Sequence, residues 1–172
     1  MKPDIKITKT GSHEYGKFVM NTTQSYGWKS SNPSCSCSFI QPHIMALLKI
    51  YKPVSVMDVG CGNGALCYAL HKEGYRVTGM EYDKEGYEIA RNTYPMIDFV
   101  QHSIYDPSPL PRTHHYTHNI AKTYLNGFDC VISTEVIEHL YHPQKLPLFA
   151  AQLLKQNGVL IISTLYHGFI KK

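Results

Sequence analysis

Short apolar runs alternate with helical stripes from about residue 42 to residue 164. Pro42 to Ile50 carries Ile44, Leu47 and Leu48 at the i, i+3, i+4 spacing of one helical face, and Pro53 closes the linker behind it. Val54 to Val59 is a compact apolar run bounded by Pro53 and Gly60, the pattern of a strand buried on both faces. Ala65 to Lys72 predicts a helix with Gly74 at its C′ position. Tyr75 to Met80 is a second strand, Lys84 to Asn92 a second helix stopped before Pro95, and Ile97 to Gln101 a third strand. Phe128 to Ser133 reads as a fourth strand and Glu135 to Tyr141 as a short helix. Pro143 opens a longer helix through Gln156, Asn157-Gly158 ends it, and Val159 to Thr164 is a fifth strand. Strand and helix repeated at this spacing predict an α/β fold: a Rossmann-like, doubly wound parallel sheet with helices on both faces.

Composition narrows the class. The chain has 172 residues, 43% of them apolar, enough for one domain with a real core. No run of about 18 apolar residues is present to cross a bilayer. The start, Met1-Lys2-Pro3-Asp4, lacks the apolar stretch of a secretory signal, so a cytoplasmic location is expected. Cys35, Cys37, Cys61, Cys67 and Cys130 are odd in number and lie partly in apolar runs, as reduced thiols do. The net charge of +4 is spread without a Lys/Arg block and neither requires nor excludes a nucleic-acid partner. Two polar stretches interrupt the alternation. Thr22 to Cys37, rich in Ser, Thr, Asn and Gly, belongs to a lead-in over residues 1–38, before a domain over 39–172; Asp106 to Asn126, with three prolines, is a surface excursion.

The junction after the first strand reads Asp58-Val59-Gly60-Cys61-Gly62-Asn63-Gly64-Ala65. Alternate glycines let the backbone turn tightly and approach a ligand without a Cβ in the way, and the next helix offers free N–H groups. Gly60-x-Gly62-x-x-Ala65 also satisfies a relaxed dinucleotide fingerprint, and Glu81 at the end of the second strand can accept ribose hydroxyls of NAD or of an adenosyl cofactor. Asp58 separates the two. A carboxylate in a buried strand just before the turn suits a cationic ligand end and gives a pyrophosphate nothing.

The string Asp58 to Gly64, followed by Val77-Thr78-Gly79-Met80-Glu81-Tyr82-Asp83, resembles the first two motifs of class I S-adenosylmethionine-dependent methyltransferases, over about Val54 to Thr164. The resemblance implies S-adenosyl-L-methionine as cofactor, with Asp58, Gly60, Cys61 and Gly62 along its methionine end. Glu81 would hold both ribose hydroxyls and Tyr82 would pack near the adenine. Gly64 and Thr134 complete the expected cofactor set. In the third motif the family commonly has Gly-Asp where this chain has His102-Ser103, so Ser103 or the Ile104 backbone takes the place of the usual carboxylate.

Ser133-Thr134-Glu135-Val136-Ile137-Glu138-His139 ends the fourth strand. If helical, Glu135, Glu138 and His139 share one face at the carboxyl edge, where open α/β sheets bind ligands. Two carboxylates and an imidazole suit Mg²⁺, Mn²⁺ or Fe²⁺; equally, acids in a first helical turn simply stabilise its dipole. Glu-Val-Ile-Glu-His-Leu is similar to the segment of ubiquinone-biosynthesis O-methyltransferases and, more loosely, of small-RNA 2′-O-methyltransferases. That resemblance implies a divalent metal beside an acceptor hydroxyl. A basic stripe for RNA is absent, so a small-molecule acceptor is favoured.

His167, just after the fifth strand, has the near-neutral chemistry to deprotonate an acceptor hydroxyl, or is an ordinary loop histidine. Tyr26 and Trp28 could form part of a lid over the cofactor, or could anchor the lead-in to the domain surface. His114, His115 and His118 lack a carboxylate or Cys at ligand spacing, and Cys35-x-Cys37 is too tight for a usual zinc knuckle. Two non-methyltransferase readings stay in view: an NAD-binding oxidoreductase, and a methyltransferase-like module that binds without catalysis. The family fold has seven strands, and the last two have no residues here to form them. The expectation is a fragment of a longer chain, with Val159 to Ile162 as an open apolar edge prone to associate.

Overall fold

A computed structural model describes residues 26–33, 35–106 and 124–164. Its elements are α1 (Cys35–Tyr51), β1 (Ser55–Val59), α2 (Ala65–Lys72), β2 (Arg76–Glu81), α3 (Lys84–Thr93), β3 (Asp98–Gln101), β4 (Phe128–Thr134), α4 (Lys145–Leu153) and β5 (Leu154–Ser163). The five strands are all parallel, in the order β3-β2-β1-β4-β5. Sequence order reverses about β1, which has β2 on one side and β4 on the other. In open α/β sheets that reversal leaves a crevice at the carboxyl ends of the strands.

Side chains alternate across the sheet and build two cores. On one face Ile44 and Leu48 of α1, Leu66, Cys67 and Leu70 of α2, and Ala90 of α3 cover Val56, Val77, Phe99 and Ile132. On the other, Leu146, Ala150 and Leu153 of α4 cover Met57, Val59, Met80 and Val131. The central β1 is therefore buried along its whole length, Ser55 and Asp58 included, because both faces of the sheet are covered there. Among the described residues no helix is long and apolar enough to cross a membrane.

At the amino end of the sheet, Asp129 clamps β4 to β1. Its Oδ2 accepts from the Val54 and Ser55 N–H groups at 3.0 and 2.9 Å and from the Ser55 hydroxyl at 2.9 Å. The Lys155 ammonium meets Oδ1 at 2.7 Å. That lysine, with the Ser55 and Val54 donors, holds the Asp129 carboxyl well below the usual carboxylate range despite the opposing effect of burial.

Three predicted elements differ. The first helix begins at Cys35, inside the stretch expected to be loop, and carries Pro42 in its interior. Packing of Cys37 and Ile40 on the core accompanies the longer helix, although Pro42 has no N–H for the helical ladder. The last helix stops at Leu153 and β5 starts at once, so Asn157-Gly158 is not a helix end. Between the pairs Phe128 with Leu154 and Cys130 with Val159, β5 advances five residues while β4 advances two. Asn157, at φ 64°, sits in that bulge. The short helix over Glu135 to Tyr141 does not form. Glu135 has φ 57°, and only Ile137–His139 makes a single 3₁₀ turn. β5 lies at the edge of the sheet, with Ile162 37% exposed.

Candidate active site

The glycine turn sits at the mouth of the crevice, between β1 and α2. Gly60, Gly62 and Gly64 have φ of 81°, 55° and 79°, the left-handed region where a side chain is strained. Each is also hemmed in. A Cβ on Gly60 would collide with Val136, one on Gly62 would lie 2.5 Å from Trp28 Cζ2, and one on Gly64 2.9 Å from Ala90 Cβ. The N–H groups of Gly60 and Cys61 both donate to the Met80 carbonyl, at 2.7 and 3.0 Å, which locks the turn to β2.

Glu81 ends β2 beside this turn and is 7% exposed. Its Oε2 accepts from Gly62 N–H at 2.7 Å and its Oε1 from Asp83 N–H at 2.8 Å. Burial raises its pKa, against the opposing pull of the Asp83, Gly62 and Tyr82 N–H groups. Three backbone N–H groups thus meet a carboxylate with about four lone-pair sites, which leaves room for a further hydroxyl donor.

Asp58, on β1 just before the turn, is less well served. The Cys67 thiol donates to its Oδ2 at 3.3 Å, and Oδ1 is buried without a partner. Burial pushes this carboxyl up to about 7; the Cys67 hydrogen bond lowers it, and nearby Glu81 raises it further. A buried acceptor left unpaired is costly, and a hydrogen-bond donor or a cationic group brought beside it would relieve it. Cys61 and Cys67 are themselves buried, which pushes the Cys61 thiol up to about 11 and that of Cys67 well above its ordinary range. Neither is poised as a nucleophile.

The predicted residues after β4 do not converge. Glu135 turns toward β5: its N–H donates to the Ser163 carbonyl at 3.2 Å, and its Oε1 accepts from the Ser163 hydroxyl at 3.0 Å. Glu138 and His139 are exposed on the 3₁₀ turn. The positive φ at Glu135 breaks the helix on which the shared face depended. Among the described residues no group of three His, Cys, Asp or Glu side chains could hold a metal ion. The Mg²⁺ or Mn²⁺ expected at Glu135, Glu138 and His139 therefore does not fit this arrangement.

The remaining expected residues line the same edge. Thr134 is half-buried at the end of β4, and Tyr82 is 49% exposed beside Glu81. Ser103 Oγ accepts from Tyr105 N–H at 3.2 Å, and Ile104 packs against the second core cluster. His102 is buried and stacks on Phe149 with ring centroids 6.1 Å apart. His167, and the cluster of His114, His115 and His118, lie outside the described residues. Sequence reasoning missed Asn63, whose Nδ2 donates to the Ser30 and Asn32 carbonyls at 2.8 Å each, and Val136 against Gly60. Asn63 carried a signal, a polar side chain among the alternate glycines; Val136 carried none.

Comparison with known proteins agrees with this fold. A ubiquinone biosynthesis O-methyltransferase of Vibrio atlanticus is 33% identical over 118 residues, covering 66% of this chain and 44% of that protein. The same enzyme of Vibrio parahaemolyticus is 36% identical over 114 residues, 64% of this chain and 43% of that protein. The chain thus spans less than half the length of the curated relatives it matches. Among solved structures, an S-adenosylmethionine-dependent methyltransferase of Mesorhizobium loti superposes with a TM-score of 0.56 at 23% identity, over 72% of this chain and 51% of that one. DesVI of Streptomyces venezuelae gives 0.57 at 20% identity, over 78% and 53%. These likenesses carry the fold, and the family follows from the sequence model: the methyltransferase-domain family matches residues 37–169, and this chain belongs to it.

Proposed function

We propose that this chain binds S-adenosyl-L-methionine and directs its methyl group to an acceptor oxygen on a small molecule. The observation that carries the reading is Asp58, a wholly buried carboxyl with one oxygen unpartnered, next to a turn whose three glycines all hold positive φ. It suits the ammonium of the cofactor's methionine end. Glu81 would accept the ribose hydroxyls, with Tyr82, Ser103 and Ile104 toward the adenine and Gly60, Cys61, Gly62 and Gly64 beneath the methionine. The family cofactor supplies a methyl on an already activated sulfonium, so the chain's task is to align donor and acceptor, hold charge and receive a proton. His139, exposed beside the crevice, and His167 are the imidazoles available to take the acceptor's proton. Glu138 is exposed on the same turn, and Glu135 braces β4 to β5 through Ser163. No step is routed through a metal. Oxygen as the acceptor atom rests on the names of the relatives.

Asp58 also disfavours the NAD-binding alternative, since a buried carboxylate below the turn repels a pyrophosphate. Calorimetry with S-adenosylhomocysteine tests the reading. Binding is expected, and Glu81→Ala should weaken it by about 100-fold, the loss of two charge-assisted hydrogen bonds. NAD binding in place of S-adenosylhomocysteine overturns it.

A further inference from the structure

Trp28 is the chain's single tryptophan, and it sits where two glycines leave room. A Cβ on Gly62 would lie 2.5 Å from its Cζ2, and one on Gly86, in the first turn of α3, 2.9 Å from its Cδ1. The segment around it is pinned to the domain. Asn63 Nδ2 holds the Ser30 and Asn32 carbonyls, and the Tyr94 hydroxyl donates to the Ser31 carbonyl at 3.3 Å. Upstream, the Tyr26 ring meets His139 edge-on, centroids 5.9 Å apart. Burial raises the Tyr26 pKa, followed by the carboxylates of Glu81 and Asp83. Residues 26–28 therefore run from the turn after β4, past the end of β2, to the glycine turn. Residues 30–33 continue from Asn63 along the outer side of α3 toward Tyr94.

We propose that residues 26–28 form a wall of the cofactor site, with Trp28 as a cofactor-binding residue on the Gly62 side. The proposal rests on the reading of the site as one for S-adenosyl-L-methionine. An aromatic surface there excludes water from a cationic ligand, and electrostatic attraction to Asp58 and Glu81 is stronger once water is gone.

Because no other tryptophan emits, fluorescence reports on this position alone. Titrating S-adenosylhomocysteine into the wild-type chain should change the emission with the midpoint that calorimetry gives for binding. Trp28→Phe should bind within about threefold of wild type and Trp28→Ala about tenfold more weakly, the loss of one packed aromatic contact. Gly86→Ala guards against a misfolded variant, since alanine is the better helix former. It crowds the indole at 2.9 Å and the Gly62 carbonyl oxygen at 3.2 Å, so it should weaken binding about tenfold alone and clearly less than that in the Trp28→Ala background, where only the second contact remains. Binding with the emission unmoved, or equal or tighter binding by Trp28→Ala, overturns the wall and leaves the cofactor assignment standing. A wild-type chain that takes up no S-adenosylhomocysteine brings down both.

Discussion

Asp58 and Asp129 stand on neighbouring strands of one sheet, near opposite ends, and meet opposite conditions. Asp129 has four donors, two of them backbone N–H groups, and its carboxyl is held ionised. Asp58 has one weak thiol donor, an orphaned oxygen and a pKa pushed up to about 7 by burial. A carboxylate whose needs are met within the chain fastens the fold. One whose needs are unmet costs stability until something outside the chain meets them, and such cost collects where ligands bind.

The largest effect that would break this contrast is on stability. Asp129→Ala leaves the Val54 and Ser55 donors without their acceptor and should lower the unfolding free energy by about 2 kcal/mol in urea titration. Its affinity for S-adenosylhomocysteine should stay at the wild-type value. Unchanged stability would mean that the amino-end clamp is ornamental.

Asp58→Asn comes next and acts in the opposite sense. An unfolded-chain Asp ionises near pH ~4, whereas the buried group keeps its proton to about 7. Between those values the unfolded chain has released a proton that the folded chain retains, so wild-type stability falls as pH rises through this window and levels off above it. The Asn variant should lack this slope. A cationic ligand favours the ionised form, so wild-type affinity should rise from about pH 5.5 to about pH 8, with proton release on binding at the lower end. Asp58→Asn should bind about tenfold more weakly at pH 8 with a flat profile. A wild-type affinity independent of pH would show that Asp58 does not meet the ligand's charge.

What could be read from the sequence follows a physical division. The placement of the glycine turn, Asp58 and Glu81 was legible because it follows from backbone geometry next to a buried strand, and a five-residue strand bounded by Pro53 and Gly60 leaves one way to place it. The Glu135, Glu138 and His139 reading depended on helical periodicity, and one left-handed residue at Glu135 removed it. Glu is not a residue type that announces a positive φ; contact with Ser163 of a strand 28 residues on accompanies it. The same kind of long-range pairing turned Asn157-Gly158 from a helix stop into a bulge. Trp28 was visible as a candidate, but its seat against Gly62 and Gly86 depends on how the chain returns over the crevice.

That bulge supplies the smallest and most discriminating test. It places Lys155 where its ammonium reaches Asp129, in a pair whose side chains are 42% and 29% exposed. Solvent and salt screen such a pair, so Lys155→Ala should cost only about 0.5 kcal/mol and nothing measurable in about 1 M salt. The cost of Asp129→Ala should persist in that salt, because hydrogen bonds to the Val54 and Ser55 N–H groups are not screened. If instead Lys155→Ala were as damaging as Asp129→Ala, the lysine, and not the backbone donors, would be what satisfies Asp129. The contrast with Asp58 would then reduce to the presence or absence of one cation. Placing a lysine within reach of Asp58 would then be expected to stabilise the fold and block the ligand, whereas satisfaction by backbone donors predicts no such exchange.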